Sequence, residues 1–96
     1  MSYDSTVRVP TAHASRYLQQ LCKHWAHKLE VQLESSVGVV RFPDGIATMT
    51  AEPEALKVTI EADQVETVER LQDVVARHLD RFAFREAPLT FGWVSR

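Results

Sequence analysis

The sequence has one cysteine, Cys22, and therefore cannot close a disulfide bond within the chain. No apolar run approaches the roughly 20 residues that a membrane-spanning helix needs. The first ten residues have neither the basic nor the apolar segment of a secretory signal. With only three glycines, the chain has no glycine-rich phosphate-binding loop. These absences predict a protein of the reducing cytoplasm that has no membrane partner.

An excess of positive charge is also missing. The formal net charge is −2 at pH 7, whereas nucleic-acid-binding proteins neutralise phosphates with a surplus of lysine and arginine. We therefore expect no nucleic-acid partner. A length of 96 residues leaves room for one hydrophobic core. Residues 1–96 are predicted to form a single domain, with residues 1–4 as a frayed end.

Residues 13–28 are predicted to form the first helix. This segment contains no Gly, Pro, Val, Ile or Thr, so nothing in it breaks a helix or crowds a helical turn. At 100° per residue its apolar side chains form one stripe, which we expect to face the core. Thr11 is the predicted N-cap. The stripe consists of Ala14, Tyr17, Leu18, Leu21 and Trp25, with Cys22 at its edge.

A second helix is predicted to open at Asp63, because Asp63 and Glu66 have the spacing of a capping box. Apolar residues then recur at helical spacing, and His78 falls among them on the inner side. This pattern again predicts one buried face. The predicted core stripe consists of Val65, Val68, Leu71, Val75, Leu79 and Phe82.

The remaining segments alternate between apolar and polar residues and predict short strands. The Phe-Pro-Asp-Gly-Ile segment at residues 42–46 predicts a hairpin turn in which Gly45 takes a positive φ. Ser35 and Ser36 are the predicted turn of another hairpin. Strands are expected at residues 5–9, 30–35, 37–42, 46–51, 56–61 and 89–94.

The resulting element order is β-α-β-β-β-β-α-β. Its four central strands are joined by short turns and should form an antiparallel meander. The predicted fold class is α+β: a two-layer sandwich whose mainly antiparallel sheet carries both helices on one face.

Four stretches resemble one family. The segment HASRYLQQLCKHWAHK, the FPDG turn, RHLDRFAFRE and the terminal Phe-x-Trp are similar to the domain of unknown function 2218, an uncharacterised bacterial family. The resemblance implies a small protein, sometimes beside or fused to siderophore-interacting flavin reductases. It therefore implies a link to iron acquisition, with a siderophore-interacting protein as partner. That family has no assigned catalytic residues. The element order also resembles the TATA-binding-protein-like sheet of phosphohexomutase C-terminal domains.

The first helix carries the main candidate site. Its segment has three formal positive charges, three histidines and no acid, which indicates either a surface for an anion or acidic partner, or an ordinary solvated helix face. His24 and His27 are three apart and could share a metal ion if a third ligand came from elsewhere; otherwise they are solvated histidines. The candidate ligand- or partner-binding residues are His13, Arg16, Gln20, Lys23, His24, His27 and Phe84.

Other reactive or aromatic side chains have simpler interpretations. Cys22 cannot meet His24 because residues two apart point in different directions, so an inert buried thiol is expected. His78 is either a core-edge histidine or a group in a pocket between helix and sheet. Phe84 is the best candidate for a partly exposed aromatic at an interface. Arg81, Arg85 and Glu86 form either an anion site or surface ion pairs.

We therefore predict a non-enzymatic accessory or binding module, linked to iron or siderophore handling, that uses the polar face of the first helix and no cofactor. An alternative is an interaction or self-association module that buries a sheet edge or the Phe84 region. A second alternative is a metal-dependent enzyme that uses the histidines of the first helix. No catalytic residue is assigned, because no nucleophile–base pair or metal set has a workable spacing.

Overall fold

The computed structural model describes residues 2–83, 86 and 91–95. Its element order is the predicted one, so the α+β class is confirmed. The strands and helices are β1 (Tyr3–Pro10), α1 (Ala14–Trp25), β2 (Glu30–Glu34), β3 (Val37–Phe42), β4 (Gly45–Ala51), β5 (Ala55–Ala62), α2 (Val65–Phe82) and β6 (Val94–Ser95).

The strands form one six-stranded sheet in the order β2-β3-β4-β5-β1-β6, and every neighbouring pair is antiparallel. β2 to β5 form the predicted meander. β1 then pairs with β5, although a helix and three strands separate them in the chain. The register aligns Val40, Ala47, Ile60 and Ser5 across four strands. Because side chains alternate between the faces of a sheet, these four residues share one face.

Both helices lie on that face. α1 contacts β2 to β5, whereas α2 contacts β1, β4 and β5, and the helices contact each other. The predicted stripe of α1 is buried in full. In α2 the stripe is buried from Val68 to Leu79, while Val65 is 48% exposed and Phe82 is partly buried. Neither helix is long and apolar enough to cross a membrane, as judged on the described residues.

The predicted helix ends were wrong in three places. α1 ends at Trp25, and the amides of Lys28 and Leu29 both donate to the Trp25 carbonyl in a closing turn. The hydroxyl of Thr11 accepts from the His13 amide, so it stabilises the turn that precedes α1 and His13 is the N-cap. α2 begins after Gln64, with no side-chain cap, because β5 continues to Ala62 and Asp63 is still in the connection.

Several strand details also differ from the predictions. β1 begins at Tyr3, so Tyr3 and Asp4, assigned to a frayed end, pair with β5. Gly45 does not take a positive φ, which occurs instead at Ser35, in the β2–β3 turn. The last strand is limited to Val94–Ser95; residues 91–93 precede it, and residues 89 and 90 lie outside the described part of the chain.

Gly38 allows α1 to approach the sheet closely. A Cβ atom at Gly38 would lie 2.5 Å from Cys22 Sγ and 2.9 Å from Leu18 Cδ1. These distances are shorter than van der Waals contact, so a larger residue would push α1 away from β3. The close approach fixes the position of α1, and with it the position of the polar side chains on its outer face.

Candidate functional site

A shallow groove of about 260 Å³ lies beside the C-terminal ends of the two helices. α1 contributes Gln20, Lys23 and His24 to its lining, the turn after α1 contributes His27, and α2 contributes Phe82. Four of the predicted site residues therefore converge, because residues three and four apart share a face of a helix. We call this site the helix-end groove.

A cluster of aromatic rings packs next to the helix-end groove. The ring centroid of His24 lies 5.1 Å from that of His78 and 5.7 Å from that of Phe82. Below them, the ring of Trp25 lies 5.2 Å from His78 and 5.5 Å from Phe42. His24 and Phe82 therefore present rings to the groove, and the buried Trp25 packs behind them.

His78 has a defined orientation. Its Nδ1 lies 2.7 Å from the carbonyl oxygen of Val74. Because a carbonyl can only accept, Nδ1 carries the proton in this contact, and Nε2 is the nitrogen left to accept a hydrogen bond or bind a second proton. The half-buried position of His78 matches the core-edge interpretation, and its contact with His24 also puts it at the margin of the helix-end groove.

The electrostatic environment of the helix-end groove is cationic. Desolvation lowers the pKa of His24 below its usual value, and the electrostatic effects of His78, Arg81, His27 and Lys28 lower it further. His24 is therefore favoured in its neutral form. The other groups that act on it are all positive when ionised, so an anion is the ligand that this potential attracts.

The structure does not bring all the predicted residues to one place. His13 and Arg16 lie near the beginning of α1, about 16 Å and about 12 Å from His24 at a rise of about 1.5 Å per residue. The ring of His13 contacts that of Tyr17, with 6.2 Å between centroids. Phe84, the seventh candidate, lies outside the described residues, as does Arg85.

A hydrogen-bonded network at the start of α1 was missed by the sequence analysis. The hydroxyl of Tyr17 donates to Glu86 Oε2 at 2.5 Å, and the hydroxyl of Thr11 donates to the same carboxylate at 2.8 Å. The network ties the chain after α2 to α1. Burial of a tyrosine on a helix stripe implies a partner for its hydroxyl, but the sequence does not indicate which residue supplies it.

The network perturbs the pKa of both partners. The hydrogen bond from Tyr17 is the main cause that lowers the pKa of Glu86, and burial opposes it; the Thr11 hydroxyl and His13 lower it further. Burial, followed by the hydrogen bond to Glu86, raises the pKa of Tyr17. Both shifts favour a neutral tyrosine that donates to a charged carboxylate. The arrangement is a structural lock that holds the chain after α2 against the start of α1.

Acid is expected to weaken this lock. A carboxyl group whose pKa is lowered in the folded state stabilises that state above its unfolded pKa of about 4.3, and the contribution disappears as the pH falls through the folded pKa. Tyr17→Phe should cost about 1–3 kcal/mol at pH 7 and flatten the loss of stability between about pH 5 and pH 3. Urea denaturation at several pH values measures both effects.

Tyr3→Phe, at a largely exposed tyrosine, is the control and should change neither the stability at pH 7 nor its loss in acid. Equal acid sensitivity of Tyr17→Phe and the wild type would contradict the assignment of the hydrogen bond between Tyr17 and Glu86.

The metal and nucleophile interpretations gain no support from the geometry. Within residues 2–83, 86 and 91–95, no three His, Cys, Asp or Glu side chains converge as a metal site. A metal ion on His24 and His27 would lack the third protein ligand that known catalytic sites use. Cys22 is buried, and burial raises the pKa of its thiol, so the thiolate that would attack a substrate is disfavoured.

Comparison with known proteins identifies the family. Residues 6–94 match the family model described as "Uncharacterized protein conserved in bacteria (DUF2218)". The chain belongs to this family. No curated protein matches the sequence. A solved structure of similar fold, described as the NMR structure of PA4090 from Pseudomonas aeruginosa, is 33% identical, covers 97% of this chain and 94% of that chain, and superposes with a TM-score of 0.75. Family membership confirms the predicted resemblance and adds no activity to it.

Proposed function

We propose that this family member is a cytoplasmic, non-enzymatic binding module that holds an anionic, aromatic iron chelate in the helix-end groove and thereby takes part in siderophore handling. The observation that carries the proposal is the convergence of Lys23, His24 and His27 with Phe82 in one groove. The iron link comes from the family resemblance stated above, in which a siderophore-interacting protein is the partner.

The chemistry of the groove fits such a ligand in two respects. Lys23 on α1 and Arg81 at the end of α2 provide positive charge for an anion. Phe82 and the imidazole of His24 provide flat faces on which a catechol ring can stack. Ferric catecholates combine both features, since they are anionic and are built from planar rings.

The cationic rim should draw such a chelate toward the groove. Lys23, His24 and Lys28 are exposed, and opposite charges at a surface accelerate encounter and add modest affinity. A shallow groove of this size encloses only part of the ligand. We therefore expect affinity in the micromolar range, which suits a protein that passes the chelate on to a partner.

The test is a titration with the ferric complex of 2,3-dihydroxybenzoate. The fluorescence of Trp25, which lies against the ring of His24, should be quenched saturably. At a hundredfold excess over the dissociation constant, the free energy of unfolding should rise by about 2.7 kcal/mol. Free 2,3-dihydroxybenzoate and zinc chloride are the comparison probes and should act weakly.

Variants locate the binding. Lys23→Gln combined with Arg81→Gln should weaken binding about three- to tenfold, since an exposed charge pair contributes about 0.2–1 kcal/mol. Lys57→Gln combined with Arg8→Gln removes the same charge from the far face of the sheet and should leave the affinity unchanged. Equal weakening in both double variants, or no saturable quenching by the ferric complex, would rule the proposal out.

A further inference from the structure

The face of the sheet opposite the helices is a second surface, distinct from the helix-end groove. Both helices lie on the other face, and the described elements leave this one uncovered. Its middle row runs across all six strands at one register level, and three of its six residues are threonine. We call it the threonine row: Gln32, Val39, Thr48, Thr59, Thr6 and Val94.

On β5 and β1 the charges of this open face are arranged in opposition about the threonine row, whereas Arg41 on β3 lies on the same side as Glu61 and pairs with Glu30. On β5, Lys57 lies two residues before Thr59 and Glu61 lies two residues after it, so all three share the open face. Both charged side chains are exposed, and neither takes part in an ion pair or side-chain hydrogen bond among the described residues. On the neighbouring strand, Arg8 is next to Lys57 in the register and Asp4 is next to Glu61.

We propose that the open face is a homodimer interface in which two copies pack face to face about a two-fold axis along the threonine row. This axis, perpendicular to the strands, exchanges the two sides of the row. It therefore sets Lys57 of each copy opposite Glu61 of the other, which is the self-complementarity that a two-fold interface requires.

Charge also decides the direction of the axis. An axis parallel to the strands would set Lys57 opposite Lys57 and Glu61 opposite Glu61, and like charges across an interface are unfavourable. Lys57 and Glu61 are about 13 Å apart along β5 at about 3.3 Å per residue, and packed sheets are about 10 Å apart. The side chains of Lys57 in one copy and Glu61 in the other are together long enough to span the distance of about 10 Å between the two sheets.

The middle of the face can be desolvated at low cost. The hydroxyl groups of Thr6 and Thr59 are hydrogen-bonded to each other at 3.2 Å, so these polar atoms keep a partner when water leaves. Val39 on the same row and Ile46 beside it add apolar area. Val94 is the second apolar residue of the row and the other four are polar, so the driving force is smaller than in an obligate dimer.

The size of the face indicates a weak dimer. Six strands about 4.8 Å apart span about 24 Å, and twisted sheets that pack face to face cross at about 30°, so the outer strands diverge. The contact is therefore centred on β5 and its neighbours. At the β2 edge the same axis would set Glu30 opposite Glu34, and the divergence separates that pair. The buried area is then at the small end of the range for specific protein–protein interfaces, which is consistent with a dissociation constant of about 10–500 μM.

Sedimentation equilibrium of the intact chain up to about 1 mM tests the proposal. We expect the wild type to dimerise in the stated range, more weakly at 500 mM than at 50 mM NaCl. Lys57→Glu and Glu61→Lys should each weaken self-association at least tenfold. The double variant, which restores opposite charges across the axis, should return to within about threefold of the wild type. Glu69→Lys, on the exposed outer face of α2, is the control and should behave as the wild type.

Mixing the two single variants gives the sharpest result. A Lys57→Glu copy and a Glu61→Lys copy have opposite charges at both facing positions, so they should form a heterodimer that is tighter than the homodimer of either variant. Circular dichroism checks that each variant is folded. A wild type that stays monomeric at 1 mM, which would leave the face to another occupant, overturns the proposal. A double variant that fails to recover also overturns it.

Discussion

Replacing Trp25 by alanine is expected to lower the free energy of unfolding by about 3–5 kcal/mol, the usual cost of truncating a buried aromatic residue. Trp25 is 6% exposed and joins α1 to both the sheet and α2, through its contacts with Phe42 and His78. A domain of this size has a stability of about 5–14 kcal/mol, so the variant should unfold at much lower urea concentrations.

Trp93→Ala provides the comparison for Trp25→Ala. Trp93 is half-buried near the C-terminus, where it stacks on Phe91. The same truncation there should cost less than half as much, because less apolar surface is removed from the core. Denaturation followed by circular dichroism avoids the loss of the tryptophan signal. Equal costs at the two positions would contradict the central role assigned to Trp25.

Leu71→Ala is expected to cost about 2–5 kcal/mol, because Leu71 is fully buried and its removal leaves a cavity under α2. The neighbouring glycine makes the result specific. A Cβ atom at Gly45 would lie 2.6 Å from Leu71 Cδ1, so Gly45→Ala should itself cost about 1–3 kcal/mol by overpacking.

Together the two substitutions should be less damaging than their sum. The new methyl group occupies part of the space that Leu71 leaves, so a double-mutant cycle should give a favourable coupling of about 1 kcal/mol or more. Some cost remains, because the same Cβ would lie 3.0 Å from the carbonyl oxygen of Glu61. Strict additivity would show that the close approach of Gly45 and Leu71 does not limit packing.

The core could be predicted well because it rests on local periodicity. The buried stripe of α1 follows from helical spacing in an uninterrupted segment, and the β3–β4 hairpin follows from the turn chemistry of residues 42–46. The helix ends could not be predicted in the same way. Thr11 was assigned as a cap from its residue type, but its hydroxyl donates to Glu86, which is 75 residues away in the chain.

The candidate site, too, could be predicted only where it depends on local sequence spacing. Helical spacing was enough to group Gln20, Lys23 and His24 on one side of α1, and His27 in the following turn lines the same groove. It could not show that α2 would place Phe82 beside them, since the relative position of two helices depends on the packing of both against the sheet. Nor could it reveal the opposed charges of the open face, because cross-strand neighbours depend on the register.

The position of β1 in the sheet also bears on how the chain folds. The meander from β2 to β5 contains only local pairings, which need short loops to close. β1 must wait for β5, and its two-residue partner β6 comes from the other end of the chain, with Ser5 opposite Ser95. During synthesis the first strand emerges before either of its neighbours exists. We therefore expect β1 to dock on β5 after the meander has formed, with β6 following because β1 is its partner. The docking of β1 determines when the exposed edge of β5 is protected from pairing with another chain.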